Sequence, residues 1–226
     1  MMDDKTEPQR VMTERQDMYQ FLASVYRKEV DQELLIAMGR MDCLINTGVF
    51  EIDHGLELLS HYLGACNQAT LTELATDYAR IFLGIGSGQA GGAFPFESVY
   101  TSPRGLLMQE ARDEVVGLYR QDGIQCCADF HNSEDHLALE LEFMAYLCSK
   151  TVQALEDQDE QAIAAAFQEQ NSFLGKHLLN WVPRWCEDVE RIATTDFYKG
   201  MALITAGYLV IDNHLVADLL LAPQAA

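Results

Sequence analysis

A chain of 226 residues, 49% of them hydrophobic, is long enough to close a sizeable core, which excludes wholesale disorder. Its 35 acidic residues against 15 basic ones give a formal net charge of -20. That surface repels phosphate backbones and anionic lipids, so it speaks against nucleic-acid binding and peripheral membrane attachment, and it attracts a basic partner.

Met1 to Arg10 is polar, with Asp3, Asp4 and Glu7 where a secretory peptide needs basic and then apolar residues. Residues 1–10 therefore read as a flexible N-terminus, and 11–226 as a single all-helical domain. The capping-box pattern Thr13-Glu14-Arg15-Gln16 predicts the first helix, with Met18, Phe21, Leu22, Val25 and Tyr26 on one face. A second helix follows Asp31, burying Leu34, Leu35 and Met38, and Leu56, Leu59 and Leu63 mark a third from about Asp53 to Cys66. Thr70-Leu71-Thr72-Glu73 is another capping box, opening a helix with Leu71, Leu74, Tyr78, Ile81 and Phe82. From Gly84 to Pro103 glycine and proline interrupt the helical period, which predicts a long hinge loop.

Ser102-Pro103 has the form of an N-cap followed by proline at the first helical position, and predicts a helix through Leu107, Ala111, Val115 and Leu118 to a stop at Asp122-Gly123. Asn132 or Ser133 is expected to cap a long helix carrying Leu137, Leu141, Met144, Cys148, Val152 and Leu155. Asp157 or Asp159 starts another, reaching about Trp181, and Pro183 separates it from a segment with Trp185, Val189 and Ile192. Asp196 caps the last helix, which runs to about Leu220. Its apolar stretch Met201 to Ile211 is too short to span a bilayer and reads as a buried core helix. No segment alternates with period two, so the expected fold is all-α: a bundle of roughly nine helices, as one unit or as two lobes joined by the Gly-rich loop.

Chemistry-bearing patterns are few. Gly86-Ser87-Gly88-Gln89-Ala90-Gly91 matches GxGxxG in letters only. A helix precedes it and an extended Phe94-Pro95-Phe96 follows, whereas a dinucleotide site needs a strand before and a helix after. One ExxH, Glu51-Ile52-Asp53-His54, is half of what a di-metal bundle requires, and no serine or cysteine sits in a nucleophile-elbow context. Cysteines at 43, 66, 126, 127, 148 and 186 show no CxxC spacing, and the vicinal Cys126-Cys127 pair reads as incidental. No metal or other cofactor is expected. In Ser133-Glu134-Asp135-His136-Leu137 the acidic residues suit a first helical turn, where the dipole favours negative charge and holds His136 neutral. His136, Glu140 and Phe143 share one face, which predicts a polar knot beside the apolar stripe.

Three segments taken together carry a resemblance. Asp77-Tyr78-Ala79-Arg80-Ile81-Phe82-Leu83-Gly84 is similar to the [DE]YxRLFxG segment of the TorD/DmsD/NarJ-type chaperones of molybdenum enzymes. Phe94-Pro95-Phe96-Glu97-Ser98-Val99-Tyr100 resembles their P[YF]xSxY loop. Asn132 to Leu137, continued by Glu140 to Met144, resembles their EPxDHLxxxLxxM signature, with Asn132-Ser133 in place of Glu-Pro. Trp181-Val182-Pro183 and the Asp196-Phe197-Tyr198 helix start also match, and order and spacing agree from about Tyr19 to Leu209.

The resemblance implies an all-helical cytoplasmic protein, not an enzyme, that binds the twin-arginine signal peptide and the apoprotein of a molybdopterin-dependent oxidoreductase. Such a protein holds its client until the cofactor is inserted, prevents premature export, and exists as a monomer or a domain-swapped homodimer. It also implies that Phe82, Glu97, Ser98, Tyr100, Asp135, His136, Leu137 and Glu140 contribute to the peptide-binding site. An acidic helical protein with an apolar groove suits such a peptide, which offers basic residues and then an apolar helix-prone stretch. The alternatives are a metal or redox enzyme on a helical bundle, which metal analysis would reveal, and a regulatory helical scaffold for another partner.

Overall fold

The computed structural model describes residues 6–41, 45–126 and 130–221. Among them the chain forms ten α-helices and no strand: α1 (Glu7–Arg27), α2 (Gln32–Met38), α3 (Phe50–Gly64), α4 (Thr70–Phe82), α5 (Glu97–Thr101), α6 (Glu110–Gln121), α7 (Leu137–Glu156), α8 (Glu160–Phe173), α9 (Val182–Ile192) and α10 (Asp196–Leu221). Nine of them have seven or more residues, so the helical periods of the sequence give the fold class directly.

Several helix ends follow their local signals. Asp31 caps α2 by accepting from Leu34 N at 2.9 Å, and Asp159 caps α8 by accepting from Ala162 N at 3.0 Å. Pro183 lies in the first turn of α9, where it lacks only an N–H that has no intrahelical partner. Other boundaries differ. The first helix starts at Glu7, capped by Thr6 with Gln9 reaching back to its N–H, and Thr13 sits mid-helix bonding Gln9 O at 2.8 Å. The helix predicted from Ser102-Pro103 begins instead at Glu110. Ser102 Oγ accepts from Leu106 N at 3.1 Å, closing a turn, and Gly105 and Met108 at φ 62 and 55 keep the chain out of helical conformation. Within the loop expected from Gly84 to Pro103 lies α5, preceded by a 3-10 turn at Gly88–Ala90. The long helix starts at Leu137, capped by His136 and not by Asn132 or Ser133. The helix expected to reach Trp181 gives way to a π turn at Leu174–Leu178. Cys43 and Cys127, and with them the vicinal pair, lie outside the described residues.

Two antiparallel pairings organise the bundle, α1 on α7 and α3 on α10. The second depends on glycine. A Cβ at Gly200 would lie 2.6 Å from Gly55 O, and one at Gly207 would lie 2.7 Å from an Ile52 side-chain carbon, so the two backbones touch. A buried ion pair ties α1 to α10. Arg15 donates to both carboxylate oxygens of Asp212 at 2.5 and 2.8 Å, and Tyr19 Oη donates to the same Asp212 at 2.6 Å. Arg15 also donates to Gln170 on α8, so all three guanidinium nitrogens are bonded, and Gln170 in turn donates to Thr151 on α7 at 2.6 Å. Aromatic rings fill the centre: Phe82 stacks on Trp185 at 5.8 Å and meets Tyr198 edge-on at 5.5 Å, with Tyr26 edge-on to Trp185 at 4.9 Å.

Helix α10 is the one described helix long and apolar enough, by length and composition, to cross a membrane. In the bundle Phe197, Tyr198, Met201, Ala202, Leu209 and Val216 are fully buried, while Val210 and Ile211 face outward. The glycine seam makes opposite predictions for two Gly→Ala changes. Gly200→Ala forces α3 and α10 apart and should cost about 1–3 kcal/mol. Gly117→Ala in α6, with nothing within 4 Å of the added methyl, should gain roughly 0.5–1 kcal/mol. Urea denaturation of both variants checks the pair.

Candidate functional site

The three segments that match the family patterns each place a buried carboxylate or ring at a junction between helices. Asp77, on α4, receives the N-terminus of α10. Its carboxylate accepts from Thr194 N at 3.1 and 3.0 Å, from Thr195 N at 2.8 Å, and from the hydroxyls of both threonines at 2.9 and 2.7 Å. Arg80, one turn on, donates to Asp77 at 2.9 Å and to Thr194 Oγ1 at 2.6 Å. A helix N-terminus leaves N–H groups without intrahelical partners, and a carboxylate there satisfies them and complements the helix dipole.

Asp135 repeats the arrangement for α5. Glu97 N donates to Asp135 O at 3.0 Å and Ser98 N to Asp135 Oδ2 at 2.9 Å, while Ser133 Oγ donates to Asp135 Oδ1. The α5 helix has no side-chain cap of its own at Phe96. An antiparallel bridge between Phe96 and His136, with Leu137 N donating to Pro95 O at 2.9 Å, holds the two segments side by side. His136 Nδ1 accepts from Ala138 N at 3.1 Å, capping α7, and its ring meets Phe96 edge-on at 5.0 Å. Burial pushes the His136 imidazolium down to a pKa of about 3, so the ring is neutral and able to accept.

Beneath them Glu97 and Glu140 form a buried acidic knot. His177 Nδ1 lies 3.0 Å from Glu97 Oε2, Asn180 Nδ2 donates to Glu97 Oε1 at 3.0 Å, and Trp181 Nε1 donates to Glu140 Oε2 at 3.1 Å. Glu140 Oε1 has no donor aimed at it. Burial, and next the charge of Glu97, raise the Glu140 pKa well above the usual carboxylate range.

Of the residues expected at the site, Glu97, Ser98, Asp135, His136 and Glu140 gather in this knot, each no more than 2% exposed. Leu137 is in the core next to it. Tyr100 lies at its edge, half-buried, its hydroxyl donating to Asp188 at 3.0 Å and its ring 5.5 Å from Trp181. Phe82 stands apart, in the central aromatic cluster. Asn180 and His177 were not among the expected residues. The π turn aims His177 inward, and no sequence period announces it.

Above the knot a cavity of about 460 Å³ opens between α5, the first turn of α6 and the π turn. Glu97 is part of its lining, with Glu110 and Glu114 on one side and Lys176 and Asn180 on the other. Ser98 Oγ accepts from Gln109 N at 3.1 Å and so pins the 102–109 turn to the cavity mouth. That turn presents Leu106, Leu107 and Met108 at 44%, 48% and 66% exposure. Among the described residues no group of three or more His, Cys, Asp or Glu side chains is arranged to hold a metal ion. His54 of the single ExxH instead faces Glu57, at 3.5 Å.

An all-helical bundle in which two of these segments meet at one knot, while the third caps the start of α10, defines the type. Residues 51–187 match the family described as nitrate reductase delta subunit. The chain is 27% identical over 205 residues to the chaperone protein TorD of Vibrio vulnificus (strain CMCP6), covering 88% of this chain and 93% of that one. It is 25% identical over 211 residues to TorD of Vibrio cholerae serotype O1 (El Tor Inaba N16961), covering 91% and 93%. It is 31% identical over 140 residues to TorD of Photobacterium profundum, covering 62% of each. This chain belongs to the TorD/NarJ-type family of molybdoenzyme chaperones.

Two measurements test the structural roles. Asp77→Ala leaves the α10 N-terminus unsatisfied and should cost about 2–4 kcal/mol, above the ~1 kcal/mol of an ordinary cap, in urea denaturation. His136 is neutral when folded and ordinary, near 6.5, when unfolded. As pH falls below about 6.5 the unfolded chain takes up a proton first, so stability falls until about pH 3. His136→Asn keeps an acceptor for Ala138 N–H and removes the titration. Its stability should decline less between pH 6.5 and 4 than the wild type's.

Proposed function

We propose that this protein is a cytoplasmic chaperone that binds the twin-arginine signal peptide of a molybdopterin-dependent oxidoreductase, holds the apoenzyme while its cofactor is inserted, and delays export until then. The observation that carries this reading is the juxtaposition of an acidic cavity with an exposed apolar ledge. A twin-arginine signal peptide presents paired guanidinium groups followed by an apolar, helix-prone stretch. Glu110 and Glu114 at the cavity wall suit the first part, and Leu106, Leu107 and Met108 suit the second. Family membership and the name of the relatives support the chaperone role.

Each part of the surface has a distinct task. The net charge of -20 speeds encounter with a basic peptide, and burial of the apolar ledge sets the residence time. Asp135 and His136 contribute from below: they fix α5 and α7, and through Ser98 the 102–109 turn, so that cavity and ledge keep their spacing. Tyr100, with its ring against Trp181, braces the other side of α5.

Calorimetry with a synthetic twin-arginine signal peptide tests the reading. Saturable binding is expected, and replacing the apolar stretch of the peptide with serine should abolish it. Leu107→Ser combined with Met108→Ser, both at exposed positions, should weaken binding about tenfold or more, equivalent to ~1.4 kcal/mol, with the melting temperature unchanged. Asp135→Asn should lose more affinity than its loss of stability explains. Glu169→Ala, which breaks only a surface pair with Lys150, should bind as wild type. Absence of saturable heat with the signal peptides of every molybdoenzyme in the source organism would overturn the assignment.

A further inference from the structure

The cavity has two walls of opposite charge. Lys176 is the one basic residue among the described residues that line it, and Glu97, Glu110 and Glu114 share the space. Lys176, Glu110 and Glu114 are exposed, and none of the three forms an ion pair among the described residues. Glu97 is already engaged from the π-turn side, by His177 Nδ1 and Asn180 Nδ2, each at 3.0 Å. The frame keeps the walls apart: Gln109 N, donating to Ser98 Oγ, fixes the start of α6, and the π turn at Leu174–Leu178 carries Lys176. Arg184 adds a second positive charge on the π-turn side, donating to Asn180 O at 3.3 Å and Tyr100 O at 2.9 Å. On the α6 wall Glu110 and Glu114 are one helical turn apart, with Cβ atoms about 5–6 Å from each other, so one guanidinium can bridge both. Like charges at that spacing repel, and a bound cation relieves the repulsion. Space does not limit the cavity to one side chain, because about 460 Å³ lies within the ~300–1,000 Å³ range of sites for whole small molecules. Charge sets the limit instead.

We infer that Lys176 makes the cavity a seat for a single guanidinium: Glu110 and Glu114 hold one arginine of a pair, and the ammonium opposite keeps out its neighbour. Adjacent residues of a chain stand only about 3.8 Å apart at Cα, so the second arginine cannot escape the field of Lys176 by distance. It turns outward to water. The two arginines of a pair are then unequal, one a ligand and the other a solvated charge. An apolar stretch lying on the 106–108 ledge fixes the register and so decides which of the two is seated. The inference deepens the peptide-binding reading and rests on it for its biological partner, but the charge selection itself is a property of the cavity.

Calorimetry on the full chain at low salt tests this with N-acetyl-arginine amide and N-acetyl-arginyl-arginine amide. The wild type should favour the second by no more than the statistical factor of about two, because no second seat is open to it. Lys176→Gln should favour it by about tenfold or more, since a second contact then forms within one complex. Lys176→Arg keeps the charge and should behave as the wild type. Raising the salt should shrink the gain in Lys176→Gln, which a change of packing would not do. With the signal peptide itself, arginine-glutamine and glutamine-arginine replacements of the pair should differ in affinity by about tenfold in the wild type. In Lys176→Gln that difference should narrow.

The same preference for the diarginine amide in wild type and Lys176→Gln, or a Lys176→Arg variant that behaves like Lys176→Gln, would overturn the single seat. So would a lack of any binding of arginine amide. If the signal peptide binds and its two arginines prove equivalent in the wild type, the single seat falls and the chaperone reading stands. If the signal peptide does not bind while the two amides follow the expected pattern, the chaperone reading falls and the single seat stands.

Discussion

Two helix N-termini in this protein are capped by carboxylates borrowed from elsewhere in the chain, and the rest of the architecture is held to those two points. Asp77 closes the start of α10 from α4, and Asp135 closes the start of α5 from the turn before α7. Buried N–H groups without partners cost about 1–3 kcal/mol each, so neither helix can sit where it does without its aspartate. Through Asp77 the longest helix is fixed at the end from which its glycine seam with α3 runs. Through Asp135 a helix of only five residues, too short to be stable alone, becomes a wall of the cavity.

This division of labour explains why the most specific sequence patterns lie beneath the surface. Asp135, His136 and Glu140 are enclosed, whereas the cavity lining, Glu97 apart, and the exposed 106–108 ledge lie outside every matching segment. The patterned residues hold geometry and charge below, and the surface residues above them are free to differ. Two chains that share the hidden frame can therefore differ in cavity and ledge.

Helical periods made the fold legible, because long amphipathic stretches such as that of α7 state their own length. The polar knot was legible as far as the placement of His136, Glu140 and Phe143 on one side of the chain. Boundaries read from capping patterns were less secure. Thr13 and Ser102 both have the right neighbours for a helix start, yet Thr13 lies inside a longer helix and Ser102 closes a turn. The deciding contacts were tertiary: Gln109 is drawn to Ser98, eleven residues back, and that moves the start of α6 to Glu110. His177 and Asn180 had no local signal at all. Their partner Glu97 is about eighty residues away in sequence, and a change of helical pitch turns them toward it.

That change of pitch, at Leu174–Leu178, sets a limit on chain length. A π turn is in effect one residue inserted into an α-helix, and it rotates everything beyond it by about 100° relative to the uninterrupted helix. The bond from Leu179 N to Leu174 O, at 2.8 Å, records that extra residue. Removing Gly175, at which even an added Cβ would meet nothing within 4 Å, would take away no side-chain contact and no charge. It would nonetheless let the segment relax to an ordinary helix and swing the residues beyond it away from Glu97. Most surface positions in helical proteins forgive substitution and many loops forgive insertion. Here a residue with almost no side chain is indispensable for its place in the count.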